Sequence, residues 1–195
     1  LKFKSYFYKT SYYNKKLITN YPERIFYSPS SFLTSLLLEN ENETYQINDI
    51  PANLIWEKKE KNNLKFNTLH SFLWLTKIDR KDSRVSTQSI INSWINKYYN
   101  YDVNSWDMII TAKRIISWAS NTDITLHESD NDYKKKFFAS IIKQSNFLLK
   151  NIKILPYDSS RIICSSAIIL SGIIFKDNIS NFKSGIKELE KIILI

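Results

Sequence analysis

The hydrophobic positions of this chain change their spacing near residue 64. From there onward, apolar residues recur at the spacing of a helix that buries one face. Polar, turn-forming stretches interrupt the pattern, which predicts about six helices joined by connections of roughly 4–12 residues. The predicted helical stripes cover residues 66–77, 90–98, 109–119, 137–149, 162–173 and 182–193.

Several of these predicted helices are apolar on more than one side. Ile162 and Ile163 are adjacent in sequence, as are Ile168 and Ile169, so the helix that carries them is expected to lie between two layers. Short connections make neighbouring helices antiparallel hairpins. Two layers of such hairpins form an α/α toroid or solenoid, whereas a simple four-helix bundle offers fewer buried sides. We therefore predict a mostly all-α fold in which residues 63–195 form the first part of an α/α-toroid domain.

Residues 1–62 have a different pattern. Three of the four prolines fall in this segment, and the stretch 39–44 is rich in asparagine, which is typical of loops. Short strands are expected near residues 25–27 and 45–47, and a short helix near residues 8–17. We interpret this segment as an irregular one that wraps over the helical body.

Composition excludes several classes of protein. The 195 residues are enough for one domain of ordinary size. A single cysteine, Cys164, excludes an internal disulfide framework and a cysteine-cluster zinc site, and the two histidines leave few metal ligands. The two glycines do not provide a glycine-rich phosphate-binding loop. No apolar stretch approaches the roughly 18 residues of a membrane span. We therefore expect no cofactor, no metal site and no membrane span.

The chain is basic, with 28 Lys and Arg against 19 Asp and Glu and a formal net charge of +9. Positive charge of this size suits an anionic partner. Abundant Lys, Asn and Ile are also typical of an AT-rich coding sequence, which would place these charges on solvated faces. Basic residues are dispersed over every segment, and no helix-turn-helix or RNA-binding signature is present, so we expect no nucleic-acid partner.

The most informative stretch runs from Asn104 to Trp118. Trp106 precedes a predicted helix, and Lys113 and Arg114 lie within it. Together with residues 66–75 and 90–95, this stretch resembles the N-terminal region of the heparinase II/III family of polysaccharide lyases. The family carries a Trp and then a Thr-x-(Arg/Lys)-Arg-(Leu/Ile)-Ile-x-Trp helix, which is matched in register by Thr111, Lys113, Arg114, Ile115, Ile116 and Trp118. The resemblance covers roughly residues 50–195 and includes a Phe-rich helix, a Ser/Ala-rich helix and a Gly-x-x-x-Leu-Glu helix.

The resemblance implies an α/α toroid followed by an antiparallel β-sandwich. It also implies β-elimination on polysaccharides that contain uronic acids. In that reaction a Tyr or His takes the proton α to the uronate carboxylate, and an Asn, His or Arg neutralises the carboxylate. In the family these groups lie on later helices and on the sandwich, and no residue of this chain is matched to them.

The ends of the chain add a further expectation. Because it begins with Leu1 rather than Met and finishes on bare apolar residues, we expect an N-terminal fragment that is inactive alone. Its expected partners are an acidic polysaccharide and its own missing C-terminal domain. By family resemblance, the expected location is the periplasm or cell envelope.

The candidate substrate-binding residues are Arg114, Lys113, Trp106 and Trp118. An arginine between two tryptophans offers bidentate contacts to a carboxylate and aromatic faces for a sugar ring. The alternative is that the tryptophans belong to the core, while the basic side chains are solvated. Position distinguishes the two: Arg114 and both tryptophans facing a groove would favour sugar binding, whereas enclosed tryptophans and a solvent-facing Arg114 would support only the fold.

Other reactive side chains have ordinary structural interpretations. His70 lies one step from a predicted buried face and is expected to be partly buried with its polar atoms satisfied. His127 is expected to be exposed, Cys164 to be an inert core thiol and Lys134–Lys136 to form a solvated face.

Two other classes of function remain open. One is a basic helical binding or scaffold module without catalysis. The other is an α/α-toroid glycoside hydrolase, which needs two carboxylates that face one cleft, and no inward pair stands out in this sequence.

Overall fold

The computed structural model describes residues 2–18, 22–37, 55–56, 63–81, 83–175 and 178–194. These residues are mostly helical and contain no β-strand, which confirms the all-α class. The helices are α1 Lys2–Tyr8, α2 Ser11–Lys16, α3 Phe32–Ser35, α4 Asn63–Ser71, α5 Arg84–Tyr98, α6 Met108–Ser120, α7 Thr122–Thr125, α8 Asn131–Asn151, α9 Ser159–Ile174 and α10 Ile179–Ile193. Short 3₁₀ turns follow α4 at Leu73–Thr76 and α8 at Ile152–Ile154.

Aspartate side chains begin three of the long helices. Asp107 accepts hydrogen bonds from the first backbone N–H groups of α6, Asp130 from those of α8 and Asp158 from those of α9. These caps satisfy N–H groups that have no partner inside a helix. The polar connections of the sequence therefore define where the apolar helices begin.

Helix α6 lies at the centre of the fold. It packs against α3, α4, α8 and α9. All its residues except Ile109 and Lys113 are buried. This enclosure explains why its apolar positions are not confined to one stripe, because a helix that is covered on most sides has little surface facing water.

Helices α8, α9 and α10 form successive antiparallel hairpins. Between α8 and α9, Ser145 bonds to Ser171 while Phe138 packs on Phe175, so the two helices run in opposite directions. Between α9 and α10, a Cβ on Gly172 would meet Phe182, and one on Gly185 would meet Ile169. These pairs are also antiparallel, and the glycines allow the two backbones to approach closely.

The amino-terminal segment is more helical than its sequence pattern predicted. Residues 2–18 include α1 and α2. Their attachment to the rest of the fold includes a hydrogen bond from the Lys150 ammonium to the carbonyl of Lys16 at 2.7 Å and the hydrogen bonds of three asparagines, which we call the amide seam. Asn146 donates to the carbonyl of Leu17 at 2.9 Å, and Asn151 donates to the hydroxyl of Tyr13 at 3.0 Å. The third asparagine, Asn14, accepts from the Tyr101 backbone N–H at 3.0 Å.

The two predicted strands have different outcomes. Residues 25–27 form no strand, although the N–H of Phe26 donates to the carbonyl of Ile174 at 3.0 Å and so attaches this extended piece to the end of α9. A hydrogen bond to a helix terminus provides no strand partner. Residues 45–47 lie outside the described residues.

Candidate functional site

Arg114 is the most completely enclosed charged residue at the predicted site. Its side chain is fully buried in α6 and donates four hydrogen bonds. Nε donates to Gln144 at 2.7 Å, and Nη1 donates to the carbonyls of His70 at 2.8 Å and Ser105 at 3.0 Å. Nη2 donates to the hydroxyl of Thr111 at 3.2 Å. The guanidinium therefore connects α4, α6, α8 and the turn before α6.

No carboxylate of the described residues pairs with this cation. The guanidinium carbon lies 4.0 Å from the ring centroid of Trp94, so an aromatic face supplies part of the compensation. Burial lowers the pKa of Arg114 well below its usual range, because the charged form has lost its water. The neutral acceptors and the ring offset this loss, which makes Arg114 a connector within the core.

Both predicted tryptophans are also core residues. Trp106 is 1% exposed, and its indole N–H donates to the carbonyl of Tyr98 at 2.8 Å. Trp118 is fully buried and stacks on Phe137, with 5.4 Å between ring centroids. Neither ring presents a free face on which a sugar could stack.

Lys113 is the only one of the four candidates with appreciable exposed surface. Arg114, Trp106 and Trp118 share the core instead of facing a groove, so their contacts in this fold are with protein. Neither of the two predicted arrangements is fully present. The tryptophans are enclosed as core residues, and Arg114 is enclosed with them instead of facing a groove or the solvent. The alternative in which the basic side chains are solvated therefore does not hold for Arg114.

His70 is a buried, neutral histidine. It is 3% exposed, its Nδ1 accepts from the indole N–H of Trp94 at 3.2 Å, and its ring stacks on Phe66 with 4.1 Å between centroids. Burial, and next the nearby charge of Arg114, lowers the pKa of His70 to about 3. The expected satisfied histidine is therefore present, and it is more deeply buried than predicted.

Cys164 and His127 also match their predicted roles. Cys164 is fully buried, and burial raises the pKa of its thiol to about 12, which makes it an unreactive core thiol at neutral pH. His127 is exposed and lies 3.4 Å from a carboxylate oxygen of Glu128.

A groove with a volume of about 730 Å³ lies at the start of α8. Its lining includes Lys134–Lys136, Tyr99 at the end of α5, and Glu23. The sequence predicts a solvated face for the three lysines, and their spacing does not reveal a groove whose other walls come from distant positions in the chain. The unbroken run of three lysines was the one available signal, and it did not indicate a concave surface.

A fourth lysine lies behind the wall of this groove. Lys143 is only 1% exposed, and its Nζ donates to Oδ1 of Asn100 at 2.7 Å. The same Nζ lies 4.0 Å from the centroid of the Tyr99 ring. Burial lowers the pKa of Lys143 to about 8. A partly compensated positive charge therefore lies under the aromatic wall.

A second hollow, of about 370 Å³, lies beside the first and shares Lys134 with it. Its acidic groups are already engaged, because Asp123 pairs with Arg80 and Glu128 pairs with Arg84. This hollow therefore offers less unpaired charge than the groove.

The described residues offer neither a metal-binding cluster nor a membrane-spanning helix. No three His, Cys, Asp or Glu side chains among them lie close enough together to hold a metal ion. None of their helices combines the length and apolarity needed to cross a membrane.

Comparison of the chain with protein-family models, curated protein sequences and solved structures finds no match in any of the three.

Proposed function

We propose that this chain is the N-terminal helical part of a heparinase II/III-like polysaccharide lyase. In this proposal it binds a polysaccharide that contains uronic acids, and residues outside the chain carry out β-elimination. The location that accompanies this function is the periplasm or cell envelope.

The arrangement around α6 is the observation that carries the proposal. The matched pattern includes Thr111, Arg114 and Trp118, and these residues belong to one buried cluster. Arg114 bonds to Thr111 and lies over Trp94, whose ring is 5.4 Å from that of Trp118. A pattern that builds the core of a fold gives a physical reason for a family to share these residue types. The support therefore comes through the fold rather than through direct contact with sugar.

The helical hairpins provide further support for a partial α/α toroid. Helix α9 contacts α6, α8 and α10, so it has helices on several sides. Its neighbours α8 and α10 both run antiparallel to it. A toroid repeats this unit around an axis, with each buried helix covered by the next hairpin.

The chemistry of β-elimination explains why His70 and Arg114 are not assigned to catalysis. The reaction needs an accessible Tyr or His close to a group that neutralises the carboxylate. His70 is enclosed, and its Nδ1 is occupied by Trp94. Arg114 is equally enclosed, so this pair does not act on a polymer at the surface.

A basic binding module without catalysis is the second candidate. The groove beside Lys134–Lys136 favours it, because this groove offers cations to an anionic partner whether or not a lyase domain follows. The two candidates share the ligand and differ in the presence of a catalytic domain.

Binding and elimination are tested separately. The purified chain is titrated with heparin, hyaluronan, alginate and polygalacturonate, with dextran as the neutral control. We expect saturable binding to at least one acidic polymer, none to dextran, and no rise in absorbance at the unsaturated-uronate band. Absence of binding across the whole panel would overturn the proposal.

The natural protein that contains this sequence provides the second test. Its reading frame is extended on both sides and its product is assayed at the same absorbance band. Unsaturated products support the lyase, whereas binding without any product, together with the absence of a β-rich domain, would favour the binding module.

A further inference from the structure

We infer that the groove at the start of α8, lined by Lys134–Lys136, Tyr99 and Glu23, binds a short segment of an acidic polysaccharide. This inference rests on the ligand class of the proposed function. It assigns the contact to a surface other than the predicted Arg114 and tryptophan cluster.

Unpaired charge is the first step of the argument. Lys135 and Lys136 are exposed, and Lys134 is partly exposed. No ammonium group of the three forms a hydrogen bond or ion pair with the described part of the chain. Glu23 is the only carboxylate among the described residues that line the groove, and their net charge is therefore positive. Concave surfaces with charge of one sign concentrate the opposite charge from solution.

Lys143 provides a second, independent feature. It lies on α8 one helical turn beyond Ala139, which lines the groove, and its Nζ is beneath the Tyr99 ring. Its hydrogen-bond acceptor, Asn100, is neutral, and no carboxylate of the described residues forms an ion pair with it. An anion in the groove would supply the negative charge that this buried lysine lacks. The lowered pKa of Lys143 is consistent with this deficit.

The size and polar lining of the groove favour sugar over nucleic acid. A volume of about 730 Å³ is within the range of about 300–1,000 Å³ that is usual for ligand sites. Glu23 and the amide of Asn131 can accept hydrogen bonds from sugar hydroxyls, and Tyr99 offers aromatic surface to a sugar ring. The phosphate backbone of DNA offers no such hydroxyl-rich surface to Glu23 and Asn131.

A triple variant tests the site. Lys134→Gln, Lys135→Gln and Lys136→Gln are combined, and the matched control combines Lys153→Gln, Lys183→Gln and Lys187→Gln. The control lysines are also exposed and do not line the groove, so both variants lose the same charge. We expect the groove variant to bind the best polymer of the panel roughly tenfold more weakly at low ionic strength, while the control changes less than twofold.

Protection of lysines in the unaltered chain gives a second measurement. The chain is acylated with an N-hydroxysuccinimide ester, with and without a saturating acidic oligosaccharide of the same polymer, and the modified lysines are mapped by mass spectrometry. We expect Lys134–Lys136 to be protected several-fold, and Lys183 and Lys187 to be unchanged. This measurement does not depend on the folding of a variant.

The outcomes separate the two proposals. If the unaltered chain binds no acidic polysaccharide, the proposed function fails and this inference fails with it. If the chain binds but both triple variants weaken equally, or protection is uniform, the groove assignment alone is overturned. Tighter binding to single-stranded DNA than to every polysaccharide would also overturn it.

Discussion

Acid should destabilise this fold through one buried histidine. The pKa of His70 is about 3 in the folded chain, against a usual value of 6.5 when the chain is unfolded. Between these two values the unfolded chain binds a proton that the folded chain does not. The free energy of unfolding therefore rises as the pH rises from 3 to 6.5, and it falls on acidification through the same window.

The magnitude follows from the shift. At pH 5, which is about 1.5 units below the usual histidine pKa, protonation of His70 stabilises the unfolded state by about 2 kcal/mol relative to the folded state. For a chain of this length, that loss lowers the melting temperature by roughly 4–8 °C. The structural cause is that protonation of Nδ1 removes the acceptor of the Trp94 indole N–H and places a second cation near Arg114.

The assay is urea unfolding, followed by far-UV circular dichroism at pH 7.5 and pH 5.0. His70→Asn removes the titrating group while keeping a side-chain acceptor close to the position of Nδ1. We expect the free energy of unfolding of the unaltered chain to fall by about 2 kcal/mol from pH 7.5 to pH 5.0. The free energy of unfolding of His70→Asn should fall much less over the same range, although this variant is less stable at pH 7.5.

His127→Asn is the matched control, because it removes the other histidine at an exposed position. It should keep the pH dependence of the unaltered chain. If His70→Asn and His127→Asn show the same slope between pH 7.5 and pH 5.0, the reasoning about His70 is refuted.

Three further predictions follow from the packing. Arg114→Lys should lower the free energy of unfolding by at least about 3 kcal/mol in chemical denaturation, because one ammonium group cannot donate to four acceptors. The control, Lys113→Gln, should change the free energy of unfolding by less than about 0.5 kcal/mol. Gly172→Ala should destabilise by about 2 kcal/mol in thermal melts despite its better helix propensity, since the new Cβ would lie 2.7 Å from the Cα of Phe182; an unchanged melting temperature would contradict the close approach of α9 and α10. Cys164 should not react with a thiol reagent at pH 8 in the native chain and should react fully in denaturant, so rapid native labelling would contradict its burial.

The helices were predictable because their apolar residues have to meet in a core. The stripe at residues 90–98 became α5, and the doubly apolar segment around Ile168 became α9, which has helices on several sides. Hydrophobic spacing contains this information directly, because it reflects which side of each helix leaves water. Hydrophobic spacing does not predict the φ of +59° at Phe72, the buried residue that follows the last residue of α4.

The site was less predictable because charge at one position does not reveal its surroundings. Arginine is usually exposed, and only the acceptors supplied by Gln144, His70 and Ser105 make a buried Arg114 tolerable. Those acceptors are 9 to 44 residues away in sequence. The groove depends in the same way on Glu23 and Tyr99, which are distant from the lysines that they accompany.

The amide seam gives the amino-terminal segment a different response to solvent from that of the core. Asn14, Asn146 and Asn151 carry no charge and do not titrate, so neither salt nor mild acid weakens their hydrogen bonds directly. Acid that weakens the packing around His70 should therefore leave α1 and α2 bound to the rest of the fold until the whole chain unfolds cooperatively. Proteolysis at low pH would then begin elsewhere than at these first two helices.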